Sequence, residues 1–214
     1  MQITTIFLDL DGLILDSEKI YIKFWLESSR RLGYSLTRND CLRLRSCDSG
    51  IAEKIVTDIT GDLNAYSKIR ELRKELMSSY LSDNSYELKK GVEDFLHLIS
   101  KTDLKKGIIT SSNIDEKKEI LFNLSILDYF DFFISAKSVN RGKPYPDIYL
   151  FAMKSMGLLA NECVAIEDSP NGVQSAFDAG IKVIMVPDLS EPTELDKERA
   201  IICTNILDSI KYIV

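Results

Sequence analysis

The sequence predicts an α/β protein: a Rossmann-like parallel sheet with helices on both faces, carrying an inserted α-helical cap. Three observations predict it. Short apolar segments alternate with amphipathic stretches, the pattern of a parallel sheet covered on both sides. A long helical tract interrupts that alternation after the first strand. Acidic, hydroxyl and lysine residues gather just beyond the predicted strand ends, where the crevice of an open parallel sheet forms.

The apolar run 4–8 is read as the first strand and leads into Asp9-Leu10-Asp11-Gly12-Leu13-Ile14-Leu15-Asp16-Ser17. Alternate side chains of an extended chain share a side, so Asp9 and Asp11 point together before Gly12 lets the backbone turn. Two like charges held that close favour a cation or a shared proton. A hard ion such as Mg²⁺ suits an all-oxygen donor set, and a substrate phosphate can complete its shell. From 17 to 82 the pattern is helical: Tyr21, Phe24, Trp25 and Ser28 recur at three and four, Gly33 follows as a stop, and Ile69, Leu72, Leu76 and Tyr80 repeat the spacing. This tract is read as a cap of residues 16–83, set into a core of residues 1–15 and 84–214. The segments 13–17 and 82–87, the second containing Asp83-Asn84-Ser85, are its linkers.

Further strands are expected at 106–110, 132–134, 163–166, 182–186 and 201–203. The first of these leads to Thr110-Ser111-Ser112-Asn113, and the strand at 163–166 to Glu167-Asp168-Ser169. Between them lies Arg141-Gly142-Lys143-Pro144-Tyr145-Pro146-Asp147. Singly, each loop has a structural reading: a cap for the helix near Asp115, a solvated lysine in a proline-stiffened turn, an acidic helix N-terminus. Together, at successive strand ends and in this order, they are read as one site.

A chain of 214 residues is long enough for one substantial core with a smaller insert. With a net charge of -6, and Lys and Arg spread along the chain, there is no basic footprint, and nucleic acid is not an expected partner. A strand beginning within a few residues of Met1, and no apolar run approaching a membrane span, lead to the expectation of a cytoplasmic, membrane-free monomer. Cys41, Cys47, Cys163 and Cys203 include no C-x-x-C pair and His97 is the single histidine, so no familiar zinc site is expected. His97 falls in an amphipathic helix pattern, which disfavours a histidine-based triad.

The motifs D-L-D-G-L-I-L-D-S-E at 9–18, T-S-S at 110–112, G-K-P-Y-P-D at 142–147 and E-D-S-P-N-G-V-Q-S-A-F-D-A-G at 167–180 resemble the haloacid dehalogenase superfamily. The likeness is to the branch with a small helical cap after the first strand. It covers essentially the whole chain and is weaker in the cap. The last three motifs are similar to the group containing beta-phosphoglucomutases and many sugar-phosphate phosphatases. The resemblance implies hydrolysis of a small phosphorylated metabolite with Mg²⁺ through an aspartyl phosphate. Asp9 matches the nucleophile, and Asp11 the general acid and base, with its backbone carbonyl toward the metal. Asp9, Asp11 and Asp168 are the implied metal ligands, with Glu167 ligating or holding a water beside the ion. Thr110 matches the hydroxyl that grips a phosphate oxygen, helped by the Ser111 N–H, and Lys143 the lysine set against the nucleophile and the phosphoryl group.

Asp11 points to phosphate ester chemistry rather than removal of halide or carbon–phosphorus cleavage. A closing cap favours a small metabolite over a phosphoprotein. Beta-phosphoglucomutases usually have a histidine in the first cap helix, where this chain has Tyr21, and a glycine and an arginine in the cap's substrate loop. Here Arg45 stands near the glycine and Asp48 near the arginine, which sets a carboxylate against a distal phosphate unless Arg43 or Arg45 compensates. A phosphatase is therefore the implied reading, with a beta-phosphoglucomutase-type mutase as the alternative. A catalytically poor metabolite-binding protein is disfavoured because Asp9, Asp11, Lys143 and Asp168 are all present. Lys143, in a Gly-Lys-Pro turn, is expected to have few contacts whose loss would cost stability.

Overall fold

The computed structural model describes residues 2–213. It has the predicted class: six parallel strands in the order β3-β2-β1-β4-β5-β6. They are β1 (Thr5–Leu8), β2 (Lys105–Thr110), β3 (Phe132–Ser135), β4 (Cys163–Glu167), β5 (Lys182–Met185) and β6 (Ala200–Ile202). The chain runs outward from β1 to β3 on one side, then crosses to β4 and runs outward on the other. That reversal opens a crevice beyond the carboxyl ends of β1 and β4. Register keeps those ends level, because Leu8 pairs with both Ile108 and Ile166.

The central strands are buried on both faces, which is why they read as continuous apolar runs. Ile6, Leu8, Ile108, Val164 and Ile166 pack into one cluster, while Phe7, Ile109, Ala165 and Tyr149 pack into the other. Alternation along each strand thus feeds two helical layers.

Five helices stand between β1 and β2, and the first four make the inserted tract: α1 (Glu18–Arg31), α2 (Arg38–Arg43), α3 (Ser49–Thr60) and α4 (Ala65–Asp83). Ile22 and Trp25 of α1, Val56 of α3 and Ile69 of α4 form an apolar interior of their own. The opposite face of α1 sends Ile20 and Phe24 into the core cluster with Met77 and Tyr86, so α1 lies astride cap and core. Local signals fix the ends. Thr37 and Asp40 form a capping box on α2, and Gly61 at φ 71° ends α3.

One boundary shifts in a way that matters. The reading placed Glu167 in the loop after the fourth strand, yet Glu167 pairs with Met185 as the last residue of β4. Glu167 and Asp168 therefore sit at the strand's rim, where successive side chains diverge. His97 is exposed on α5 (Val92–Ile99), as its amphipathic pattern predicts. No helix among the described residues is long and apolar enough to cross a membrane.

Candidate active site

β1 delivers Asp9, whose backbone N–H continues the ladder by donating to the Ile166 carbonyl at 3.0 Å. The chain then turns sharply at Gly12, with φ 90°. A Cβ there would overlap the Asp168 carboxylate, so the position excludes a side chain on two grounds. The two aspartates ahead of the turn lie in unlike surroundings.

Asp9 is 1 % exposed, and its Oδ1 accepts from Lys143 Nζ at 2.5 Å. Lys143 is 0 % exposed and donates also to Glu167 Oε1 at 2.6 Å and the Ile109 carbonyl at 3.1 Å. Tyr149, on α7 (Asp147–Met156), donates to the same Glu167 oxygen. This corrects the expectation of a loosely held lysine. The turn at 142–147 carries Lys143 inward, where two carboxylates hold its charge.

Asp9, Glu167 and Asp168 each offer a carboxylate oxygen, and these lie within 4.8 Å of one another. Asp9 Oδ2, Glu167 Oε2 and both oxygens of Asp168 are buried with no hydrogen-bond partner among the described residues. Orphaned buried carboxylate oxygens are costly, and a hard divalent cation is the partner that such a set fits. Electrostatics point the same way. Burial, reinforced by Asp11 and opposed by Lys143, raises Asp9 above the usual carboxylate range. Burial pushes Glu167 up to about 7, with Asp9 adding and Lys143 opposing. Asp168 is raised well above its ordinary value by burial and by Asp9, against the pull of Arg45.

Asp11 contrasts with all three. Its Oδ1 accepts from Ser17 Oγ at 2.6 Å and Lys117 Nζ at 2.5 Å, and its Oδ2 from Ser112 Oγ at 2.6 Å. Burial alone would raise its pKa, but Lys117 and the two hydroxyls outweigh burial and lower it. The two neighbouring aspartates therefore differ in proton affinity, and the three donors around Asp11 favour its carboxylate. The Asp11 side chain lies outside the metal-type cluster; its implied contribution to a metal was through the main-chain carbonyl.

On the β2 side, Thr110 is buried and its hydroxyl accepts from the Ser112 N–H at 3.0 Å, which leaves its own proton free to donate. Ser111 Oγ is buried without a partner among the described residues. Three strand-end segments thus bring Asp9, Asp11, Thr110, Ser111, Glu167 and Asp168 to one crevice, with Lys143 reaching it from the loop before α7.

The cap adds Arg45 from the loop between α2 and α3. It is 4 % exposed, with Nη1 3.6 Å from Asp168 and 3.9 Å from Asp188, and Nη2 donates to Ser190 Oγ at 2.9 Å. Arg43 is exposed beside Asp40 at 3.8 Å and takes no part. Asp48 does not present a free carboxylate to the crevice, contrary to the loop alignment. It accepts from the N–H groups of Gly50 at 2.9 Å and Gly142 at 2.8 Å, capping α3 and fastening the cap loop to the Lys143 turn. Glu18 is buried where α1 begins and is pushed up to about 8 by burial, opposed by Arg45 and reinforced by Asp11, Asp188 and Asp9.

Sequence reasoning assigned no role to Lys117, Tyr149, Ser17 or Glu18. Lys117 left a signal: it lies one helical turn before the buried Leu121 on α6 (Ile114–Asn123), so a lysine occupies the apolar stripe. Tyr149 left none beyond its place on the buried face of α7.

The haloacid dehalogenase-like hydrolase family model matches residues 6–186. A phosphorylated carbohydrates phosphatase of Thermotoga maritima is 28 % identical over 180 residues, covering 82 % of this chain and 81 % of that protein. A fructose-1-phosphate phosphatase of Escherichia coli is 30 % identical over 179 residues, covering 83 % of this chain and 93 % of its own. Among solved structures, a beta-phosphoglucomutase of Clostridium difficile superposes with a TM-score of 0.81 at 19 % identity, over 99 % of this chain and 96 % of that one, which is a likeness of fold. Because the matched span contains the entire crevice from Asp9 to Asp168, fold, site and sequence agree that the chain belongs to the haloacid dehalogenase-like hydrolases.

Proposed function

We propose that this hydrolase is a Mg²⁺-dependent phosphatase of a small phosphorylated metabolite, a sugar phosphate, acting through an aspartyl phosphate on Asp9. One observation carries the reading: Asp9 has one oxygen held by Lys143 and the other buried with no hydrogen-bond partner among the described residues, inside a cluster of equally unsatisfied carboxylate oxygens. Asp9 and Asp168 would hold the ion with the Asp11 carbonyl, and Glu167 would add its free oxygen. When bound, Mg²⁺ supplies charge neutralisation between nucleophile and phosphate.

The chain's own groups divide the remaining work. Thr110 and Ser111 hold phosphate oxygens, and Lys143 fixes Asp9 and faces the charge of the transferring group. In the first step Asp11, once it has taken up a proton against the pull of Lys117, gives it to the departing oxygen as the Asp9 oxygen bonds to phosphorus and the ester P–O bond breaks. In the second, water bonds to phosphorus, the Asp9–phosphorus link breaks, and the proton of that water goes to Asp11. The cap excludes other water and large substrates. The activities of the relatives, on phosphorylated carbohydrates and fructose 1-phosphate, support a sugar phosphate as the substrate class.

A mutase reading has one observation in its favour: Arg45 is buried at the crevice with Nε and Nη1 lacking hydrogen-bond partners among the described residues, as a clamp for a second phosphate would be. Against it, Tyr21 replaces the usual histidine and Asp48 is committed to Gly142. A panel of phosphorylated sugars with Mg²⁺, including beta-glucose 1-phosphate with a trace of its bisphosphate, tests both readings. Release of inorganic phosphate is expected. Rapid glucose 6-phosphate formation with negligible free phosphate would overturn the phosphatase assignment.

A further inference from the structure

We infer that Lys117 is a positioning residue for the acid–base carboxylate: its ammonium fixes Asp11 for proton transfer and ties it to the junction of cap and core. The inference rests on the proposed role of Asp11. Lys117 is 3 % exposed, although lysines are almost never fully buried without a partner. Its Nζ lies 2.5 Å from Asp11 Oδ1, 4.8 Å from the ring centre of Tyr86 and 5.5 Å from that of Tyr21. Tyr86 belongs to the segment returning from the cap, and Tyr21 to α1 at its entrance. One ammonium therefore touches the catalytic loop and both crossings between cap and core, with an ion pair and two aromatic faces offsetting its desolvation.

The three donors on Asp11 are not equivalent. Ser17 and Ser112 carry hydroxyls, which can turn from donating to accepting. Lys117 can only donate, so Oδ1 remains an acceptor for as long as the pair persists. The transferable proton is thereby confined to Oδ2, the oxygen shared with Ser112. A carboxylate with one oxygen pinned is pre-oriented toward the departing group.

The test compares kcat/KM for a sugar phosphate and for 4-nitrophenyl phosphate, in wild type and in Lys117→Met. The 4-nitrophenolate ion leaves without needing a proton, whereas a sugar alkoxide needs one, so kcat/KM for the two reports how well Asp11 acts as the acid. Lys117→Met should lower the ratio of sugar phosphate to 4-nitrophenyl phosphate by about tenfold or more, and Lys117→Arg, which keeps the charge, should recover much of it. An unchanged or raised ratio in the folded Met variant would overturn the inference, since removing Lys117 also removes the charge that lowers the proton affinity of Asp11. If Lys117→Met does not fold, Lys117→Gln reads the same ratio. Failure of both to fold would assign Lys117 to stability and also overturn it. Wild type must hydrolyse both esters and Asp9→Asn neither; failure of that control sinks the phosphatase reading, whereas an unchanged ratio sinks only the role of Lys117.

Discussion

The crevice and the cap interior bury opposite kinds of material. At the strand ends, Asp9, Asp11, Lys117, Lys143, Glu167 and Asp168 are all buried, and four of their carboxylate oxygens have no hydrogen-bond partner among the described residues. Inside the cap the buried cluster is made of Ile22, Trp25, Leu36, Leu44, Val56 and Ile69. Its ion pairs lie outside, as in Arg31 with Glu27 at 2.7 Å and Lys68 with Asp62 at 3.0 Å. Apolar burial stabilises the cap directly. Buried, unsatisfied charge destabilises the crevice until a ligand satisfies it, so stability there is exchanged for a binding site.

The sharpest way to break that contrast is Asp9→Asn. It should reduce turnover by ~10³-fold or more and leave the melting temperature within a few degrees, since Lys143 keeps Glu167 as its partner. Activity assays beside a thermal melt check both. Retention of more than a few per cent of activity would sink the aspartyl phosphate mechanism.

Lys143→Ala should cost both turnover and stability. Because it leaves Asp9 and Glu167 buried without their cation, the loss should be about 3–5 kcal/mol in denaturant unfolding without Mg²⁺. A loss under ~1 kcal/mol would restore the picture of a lightly held turn lysine.

In metal-free protein the crevice should also set the pH dependence. Glu167 is pushed from 4.5 to about 7 by burial, and Glu18 from 4.5 to about 8, again chiefly by burial. Above pH 4.5 the folded state therefore holds protons that the unfolded chain has released. Their contribution is fully present below that value and is lost as pH rises through about 7 and then 8. Melting temperature without metal should fall across this window, and Mg²⁺ should reverse most of the fall at the alkaline end. Melts that are flat from pH 5 to pH 8, with and without Mg²⁺, would contradict the description of the crevice.

The smallest effect belongs to the cap surface. Arg31→Ala removes an exposed i,i+4 pair with Glu27 and should cost less than about 0.5 kcal/mol, with turnover unchanged. A loss of several kcal/mol would mean that the cap surface carries energy that its geometry does not reveal.

Much of this site was legible because it follows strand ends. Asp9, Asp11, Thr110 and Asp168 each sit just after or at the close of an apolar run, and the sheet's register brings those ends level. What sequence could not display was depth and docking. Nothing in Gly142-Lys143-Pro144 indicates that the lysine turns inward to two carboxylates. Asp48 looked free because its partner, the Gly142 N–H, lies 94 residues away. Arg45 came near Asp168 only through the same closure of cap onto core. Lys117 drew no reading for a different reason, since lysine on an amphipathic helix is ordinarily solvated.

The central claim is that Asp9 carries the phosphoryl group, and the direct measurement is mass spectrometry of protein quenched in acid during turnover of 4-nitrophenyl phosphate with Mg²⁺. The account predicts a phosphoryl adduct on the peptide containing Asp9, absent from Asp9→Asn, which should also release no phosphate. An adduct on a different residue, or phosphate release by Asp9→Asn at the wild-type rate, would contradict it.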